Sequence, residues 1–140
     1  MAKYLFQRII FAQNGKIDEK REKIKAFKVS FLTTELELTS TEAEKFWPVH
    51  DEFSKADREN RKKQREIGKE LRHGFDSIPE KDVRTKMETM LNLESADVQI
   101  KKDYLNKAAD VIGYKRAAKS LSRMCRLRRW ATSANTRSPK

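Results

Sequence analysis

The sequence has few of the residues that break helices or build tight turns. Its 140 residues include 4 Gly and 3 Pro. Strands joined by tight turns use both heavily, so an all-β fold is disfavoured and a collagen-like chain is excluded. The single cysteine, Cys125, cannot form a disulfide within the chain. No apolar run approaches the ~20 residues of a membrane-spanning helix.

Apolar residues are also scarce. The hydrophobic set makes up 37% of the chain and charged residues 38%, against about 45–50% and 25% in a typical soluble domain. A thick core is therefore disfavoured, whereas long helices with charged outer faces are favoured. We predict an all-α fold of four helices.

Four segments place apolar residues at the three- and four-residue intervals of a helix face. The predicted helices cover about residues 18–37, 40–72, 79–112 and 114–130. Thr39 and Glu42 fit a capping box at the start of the second helix, in which each side chain bonds the other residue's amide. Ser77 is expected to cap the third helix, and Gly113 to end it.

The two ends of the chain depart from this pattern. Residues 1–17 are typical of a degenerate export signal, because Gln7 and Arg8 divide an apolar run that should extend over ~7–15 residues. Residues 131–140 are predicted to form a disordered basic tail. The helical domain is therefore expected over residues 18–130.

The second predicted helix changes character along its length. Its first part is aromatic, and its inward positions further on are all polar. Those polar positions are Asp57, Asn60 and Gln64. A helix segment that is polar all round is either an exposed spacer or a bridge to a partner. Pro48 is expected to kink this helix or to mark a later start.

The net charge of +11 is concentrated at one end of the chain. No acidic residue follows Lys115, so residues 115–140 carry +9 and residues 1–114 only +2. The candidate basic patch comprises Lys115, Arg116, Lys119, Arg123, Arg126, Arg128 and Arg129. Arginines at 123, 126 and 129 would share a helix face that could follow phosphates. No recognised nucleic-acid-binding module accompanies them.

Catalytic and metal motifs are missing from the sequence. It has no Gly-rich phosphate loop, no GxSxG and no HExxH, so we predict a protein that is not an enzyme and has no cofactor, with an unidentified metal left as the alternative. His50 and His73 lie near opposite ends of one predicted helix and cannot share a metal ion within one chain. Cys125 has no second cysteine at the spacing of a zinc site, so no metal ligands are assigned.

Residues 21–53, REKIKAFKVSFLTTELELTSTEAEKFWPVHDEF, resemble the helical LTxxQ-type periplasmic proteins related to Spy and CpxP. They are most similar to the Bacteroidetes-type branch described as sensors of ECF-type sigma factors or periplasmic heavy metal sensors. The matching residues are Lys28, Phe31, Leu32, Thr33, Leu36, Leu38, Thr39, Glu42, Ala43, Phe46, Trp47 and Pro48. Glu42 stands where the motif has Gln, and residues 115–130 lack the acidic positions usual in the last helix of these proteins.

The resemblance implies a long antiparallel helical hairpin with coiled-coil character, open or cradle-like, in a homodimer. It implies a periplasmic, ATP-independent stress-response protein. Such a protein acts as a chaperone that binds protein clients, or as a sensor linked to an ECF sigma factor through a membrane-associated regulator. The residues expected to form the motif and the binding surface are Phe31, Leu38, Thr39, Glu42, Phe46, Trp47, Pro48 and Phe53.

Two further expectations complete this interpretation. Met87, Met90 and Leu91 are expected to pack across from the aromatic residues at the LT-motif end. The alternative function is that of a cytoplasmic helical protein that binds nucleic acid through residues 115–140.

Overall fold

The chain is all-α over the part that the structure describes. The computed structural model describes the backbone of residues 2–136 and the side chains of residues 15, 16 and 18–129. The four helices are α1 (Ala2–Glu35), α2 (Ser40–Gly74), α3 (Glu80–Ile112) and α4 (Tyr114–Thr136). The predicted fold class and number of helices are therefore confirmed.

The outer two helices are longer than predicted. Helix α1 begins at Ala2 rather than at residue 18, because residues 2–14 contain many good helix formers and Gly15 alone costs only about 1 kcal/mol. Helix α4 continues past Trp130 to Thr136, because no Gly or Pro interrupts residues 114–138. The predicted tail is therefore helical up to that point, and residues 137–140 lie outside the described part of the chain.

The chain divides into two compact units, one ending at Leu38 and one beginning at Thr39. The first unit consists of α1 and the turn after it. Glu37 adopts the left-handed conformation with φ 51°, and the amides of Glu37 and Leu38 donate to the carbonyls of Thr34 and Thr33, both at 3.2 Å. This is the Schellman arrangement, with Glu37 at the position that usually holds glycine.

The start of α2 confirms the predicted capping box. The Glu42 amide donates to Thr39 Oγ1 at 3.2 Å, and the Thr39 amide donates to Glu42 Oε2 at 3.1 Å. Helix α2 therefore begins at Ser40, and the expected later start at Pro48 is wrong. Pro48 lies inside the helix, where it supplies no amide to the hydrogen-bond ladder.

The predicted cap of α3 is wrong. Ser77 Oγ donates to the carbonyl of Gly74 at 3.0 Å, so its hydroxyl belongs to the turn that follows α2. Pro79 occupies the N-cap position without a side-chain cap. Its carbonyl accepts from the amides of Asp82 and Val83 at 2.9 and 3.1 Å, and this first turn forms without Ser77.

Helices α2, α3 and α4 make up the second unit. Phe53 packs on Tyr104 with ring centroids 4.5 Å apart, Asn60 bonds the Leu93 carbonyl, and Glu70 pairs with Lys86. The apolar core of this unit is thin, as the composition predicts. Its buried members are Phe46, Phe53, Leu71, Tyr104, Ala108, Ile112, Ala117 and Met124.

Candidate functional site

Glu42, the last residue of the LT motif (Leu38, Thr39 and Glu42), joins the start of α2 to α4. Glu42, besides closing the capping box, accepts hydrogen bonds from both terminal nitrogens of Arg116, one of them at 3.0 Å. The bonds from Arg116 and from the Thr39 amide hold the pKa of the Glu42 carboxyl at about 2. The polar residues of the motif therefore have a structural role, and sequence reasoning missed Arg116 as their partner.

An aromatic cluster follows the motif on α2. We call Phe46, Trp47, His50 and Phe53, with Tyr104 of α3, the ring cluster. The rings of Phe46 and Trp47 meet edge to face at 5.1 Å, and those of Trp47 and His50 do so at the same distance. Phe46 is fully buried, whereas Trp47 is half-buried. Trp47 is therefore the residue of the ring cluster whose ring is exposed enough to contact another protein.

Tyr104 connects the ring cluster to α4 by a buried hydrogen bond. Its hydroxyl lies 2.6 Å from Ser120 Oγ, and Ser120 donates to the carbonyl of Ala117 at 2.7 Å. Ser120 is fully buried and Tyr104 is only 2% exposed. Burial raises the pKa of Tyr104 to about 12.

The polar middle of α2 binds both neighbouring helices. Asp57 Oδ2 lies 3.2 Å from Arg128 Nη2 on α4, and its Oδ1 lies 3.5 Å from Arg61 Nε. Asn60 and Gln64 both donate to the carbonyl of Leu93 on α3, at 2.9 and 3.3 Å. We call these groups the polar seam: Asp57, Asn60, Arg61, Gln64, Arg128 and the Leu93 carbonyl.

The polar seam corrects one expectation from the sequence. Asp57 and Asn60 are buried, at 8% and 6% exposure, so this part of α2 is not an exposed spacer. The bridge that the sequence suggested lies within the chain itself. Burial lowers the pKa of the Arg61 guanidinium, and the nearby Arg128 adds to that effect. Asp57 is therefore the carboxylate that pairs with both arginines, and Asp97 adds a second negative charge near Arg61.

The methionine-rich part of α3 does not pack where the sequence predicted. Met87 and Leu91 are 42% and 58% exposed, and Met90 lies beside Gly68, near the far end of α2 from the ring cluster. Tyr104 takes the place across from Phe53 instead. The expectation for Met87, Met90 and Leu91 is therefore wrong, because periodicity defines a helix face and not what covers it.

An exposed apolar face remains on α3. Met87, Leu91 and Val98 follow one another at intervals of four and seven residues, so they lie on one side of the helix. Val98 is 51% exposed. We call these three residues the α3 stripe. Its neighbours Arg84, Glu88 and Lys102 are exposed and charged, and the exposed Glu94 lies between Leu91 and Val98.

The basic patch of the sequence divides into two groups on α4. Arg116 and Arg128 point into the unit and bind Glu42 and Asp57. Lys115, Lys119, Arg126 and Arg129 are exposed, and Arg123 is half-buried. The structure therefore assigns the first two arginines to stability and leaves the others on the surface.

One depression on the described surface is smaller than an ordinary ligand pocket. A depression of about 90 Å³ lies between α2 and α3, lined by residues that include Val49, Phe53, Ile100 and Lys107. Small-molecule pockets usually measure about 300–1,000 Å³. Among the described side chains, no three His, Cys, Asp or Glu residues group as metal ligands. None of the described helices is long and apolar enough to cross a membrane.

Comparisons with family models, with curated proteins and with solved structures found no match. The class that the fold defines is an all-α protein of four helices. The resemblance of residues 21–53 stays an expectation.

Proposed function

We propose that this chain is a non-enzymatic envelope protein that binds apolar segments of other proteins without ATP. In the periplasm it acts as a chaperone for unfolded clients, or as a stress sensor linked to an ECF sigma factor through a membrane-associated regulator. The observation that carries the proposal is the α3 stripe, three large apolar side chains on one exposed helix face. Exposed apolar surface rimmed by charge marks protein-binding sites.

The chemistry of the α3 stripe suits clients of varied sequence. Met87 is flexible and polarisable, so it adapts to irregular apolar partners. The exposed charges beside the stripe have both signs, as Arg84 and Glu88 show. A rim of mixed sign selects apolar segments without excluding either acidic or basic flanks. An unfolded segment of a client protein is therefore the occupant that we propose.

The remaining contacts fit the hairpin that the resemblance implies. As the residue number increases along α2, the number of its partner on α3 decreases. Glu52 pairs with Lys107, and Glu70 pairs with Lys86. This order supports an antiparallel hairpin of α2 and α3. The homodimer and the periplasmic location rest on the resemblance, and sedimentation equilibrium would measure the first.

The residues expected at the binding surface do not all contribute equally to this proposal. Phe46 is fully buried and Phe53 is 5% exposed, so both serve the core. Thr39 and Glu42 cap α2. Trp47 is half-buried and is the member of the ring cluster that we propose to contact clients at its edge.

An aggregation assay tests the proposal. A model client is heated with a several-fold excess of the purified chain, without ATP, and light scattering is recorded. We expect the chain to suppress scattering. Leu91→Gln with Val98→Gln should remove most of the suppression, because the apolar contact area is lost. The matched control places the same residue at two exposed polar positions of α3 away from the stripe, Asn92→Gln with Asn106→Gln, and should retain suppression.

Two results would contradict the chaperone form. One is unchanged client aggregation in the presence of the chain, and the other is equal suppression by the stripe variant and its control. Circular dichroism of each variant shows whether the helices remain folded. Binding of an apolar peptide at the stripe without suppression of aggregation would support the sensor form.

A further inference from the structure

The outer face of α4 carries a straight row of cations. Lys115, Lys119, Arg126 and Arg129 are separated by four, seven and three residues, and all four are exposed. These intervals keep them on one side of a helix. At 1.5 Å per residue the row is about 21 Å long. We call these four residues the α4 row.

The opposite face of α4 is fixed against the rest of the second unit. Ala117, Ser120 and Met124 are buried there, between the ion pairs of Arg116 with Glu42 and of Arg128 with Asp57. Two ion pairs twelve residues apart determine which side of α4 turns inward. The α4 row therefore faces away from the unit along its whole length.

The charge of the α4 row is of one sign. Helix α4 has no acidic residue, since none occurs from Lys115 to the end of the chain, whereas α2 and α3 mix both signs. Like charges four residues apart destabilise a helix by a few tenths of a kcal/mol per pair. A bound polyanion would neutralise the α4 row and so remove the repulsion between its cations.

We propose that the α4 row binds the phosphate backbone of double-stranded DNA, with α4 lying along a groove. A helix with side chains is about 10–12 Å across, and the major groove is about 12 Å wide with phosphates on both walls. A single row of cations on one side of a helix can meet the phosphates of one groove wall, while the opposite face of α4 stays packed in the unit.

The composition of the row favours duplex DNA over other polyanions. The exposed positions beside the row, Ala118 and Ser122, hold no aromatic side chain, and single-strand binders stack bases on aromatic rings. They hold no large apolar side chain, and interfacial helices insert such residues between lipids. Contacts to phosphates alone carry no sequence information, so the binding is independent of base sequence.

This inference does not depend on the proposed client binding. It uses α4, whereas client binding uses the α3 stripe, so either can fail while the other holds. Duplex DNA lies in the cytoplasm, so DNA binding would contradict the periplasmic part of the proposed function and would leave client binding by the α3 stripe intact.

The test measures anisotropy of a labelled 20-base-pair duplex of random sequence as the full chain is added at several salt concentrations. Four phosphate contacts correspond to a slope of log affinity against log salt of about −3.6. Lys115→Gln, Arg126→Gln and Arg129→Gln together should weaken binding at least tenfold and reduce the slope to about −0.9. The matched control removes three exposed charges from α2 by Arg58→Gln, Lys63→Gln and Lys69→Gln, and should change affinity by less than threefold.

Four outcomes would overturn the inference. They are no duplex binding at 50 mM salt, an equal loss in the two triple variants, tighter binding to single-stranded DNA of the same length, and tighter binding to vesicles of anionic lipid at equal phosphate concentration. Circular dichroism before the titration confirms that both triple variants retain the helix content of the parent.

Discussion

Two neighbouring parts of α2 are held to the other helices by opposite kinds of contact. Between Phe46 and Phe53, α2 contributes rings that fill space, and Phe53 packs on Tyr104 of α3 with ring centroids 4.5 Å apart. Between Asp57 and Gln64, it contributes an ion pair to α4 and two hydrogen bonds to α3. A substitution in the first part removes apolar packing, whereas a substitution in the second part removes an ion pair or a hydrogen bond.

Apolar contacts tolerate many partners of similar volume, whereas a buried charge requires one particular partner. We infer that the ring cluster supplies most of the stability and that the polar seam specifies the register of α2 against α3 and α4. A chain with 37% hydrophobic residues has few apolar side chains to define that register by shape.

The largest expected effect lies in the ring cluster. Phe46→Ala should lower the free energy of unfolding by about 4 kcal/mol, because the side chain is fully buried and the substitution leaves a cavity. Urea unfolding followed by circular dichroism measures it. Phe46→Leu, the matched control, should recover more than half of the loss. A loss below about 1 kcal/mol for Phe46→Ala would mean that the ring cluster is not the main core.

The next effect lies in the polar seam. Asp57→Ala should lower the free energy of unfolding by about 3 kcal/mol, because Arg61 and Arg128 would both lose the buried carboxylate that pairs with them. The control is Glu59→Ala, an exposed carboxylate on the same helix, with an expected change within about 0.5 kcal/mol. Equal effects of the two substitutions would show that the seam contributes nothing specific.

A smaller effect is expected at Tyr104, where rings and polar groups meet. Tyr104→Phe should cost about 1 kcal/mol, since the bond to Ser120 is lost. The folded-state pKa of about 12 exceeds the ordinary value of 10.0. The stability from neutral, buried Tyr104 is therefore complete below pH 10 and is lost as the pH rises towards 12.

The variant tests that dependence directly. Tyr104→Phe should show a weaker fall in Tm between pH 10 and pH 12 than the parent chain. The control is Tyr114→Phe, because Tyr114 is 62% exposed. The same alkaline fall in the parent and in Tyr104→Phe would rule out Tyr104 as its source.

The smallest effect is expected at Glu42, whose ion pair with Arg116 is partly exposed. Its pKa falls from 4.5 to about 2 in the folded chain, so its contribution to stability is complete above pH 4.5 and is lost as the pH falls towards 2. Glu42→Gln should therefore lose less Tm between pH 5 and pH 2 than the parent. Glu44→Gln, an exposed position in the same turn, should follow the parent, and identical curves for all three would contradict the assignment.

Local patterns in the sequence were enough for the helices and for one cap. The capping box of Thr39 and Glu42 spans three residues, so its geometry follows from the local chain alone. Ser77 fits the same pattern, but its hydroxyl bonds the preceding turn instead. The Ser77 hydroxyl could bond either the first turn of α3 or the carbonyl of Gly74. The local sequence does not show which bond forms.

Long-range partners could not be predicted in this way. The inward positions Asp57, Asn60 and Gln64 followed from helical spacing, but the group that Asn60 binds lies 33 residues away. Arg116 lies 74 residues from Glu42. Periodicity also failed to show that the face holding Met87 and Leu91 is uncovered. These contacts and exposures depend on which helices pack against each other. The residue pattern within one helix does not determine that.

The most direct test of the account is a double-mutant cycle across the polar seam. Asp57→Leu, Arg128→Leu and the double variant are compared with the parent by urea unfolding. If the ion pair joins α2 to α4, the double variant should be more stable than the sum of the single losses predicts, with a coupling energy of about 1.5 kcal/mol or more. A coupling energy below about 0.5 kcal/mol would contradict the claim that Asp57 and Arg128 hold these helices together.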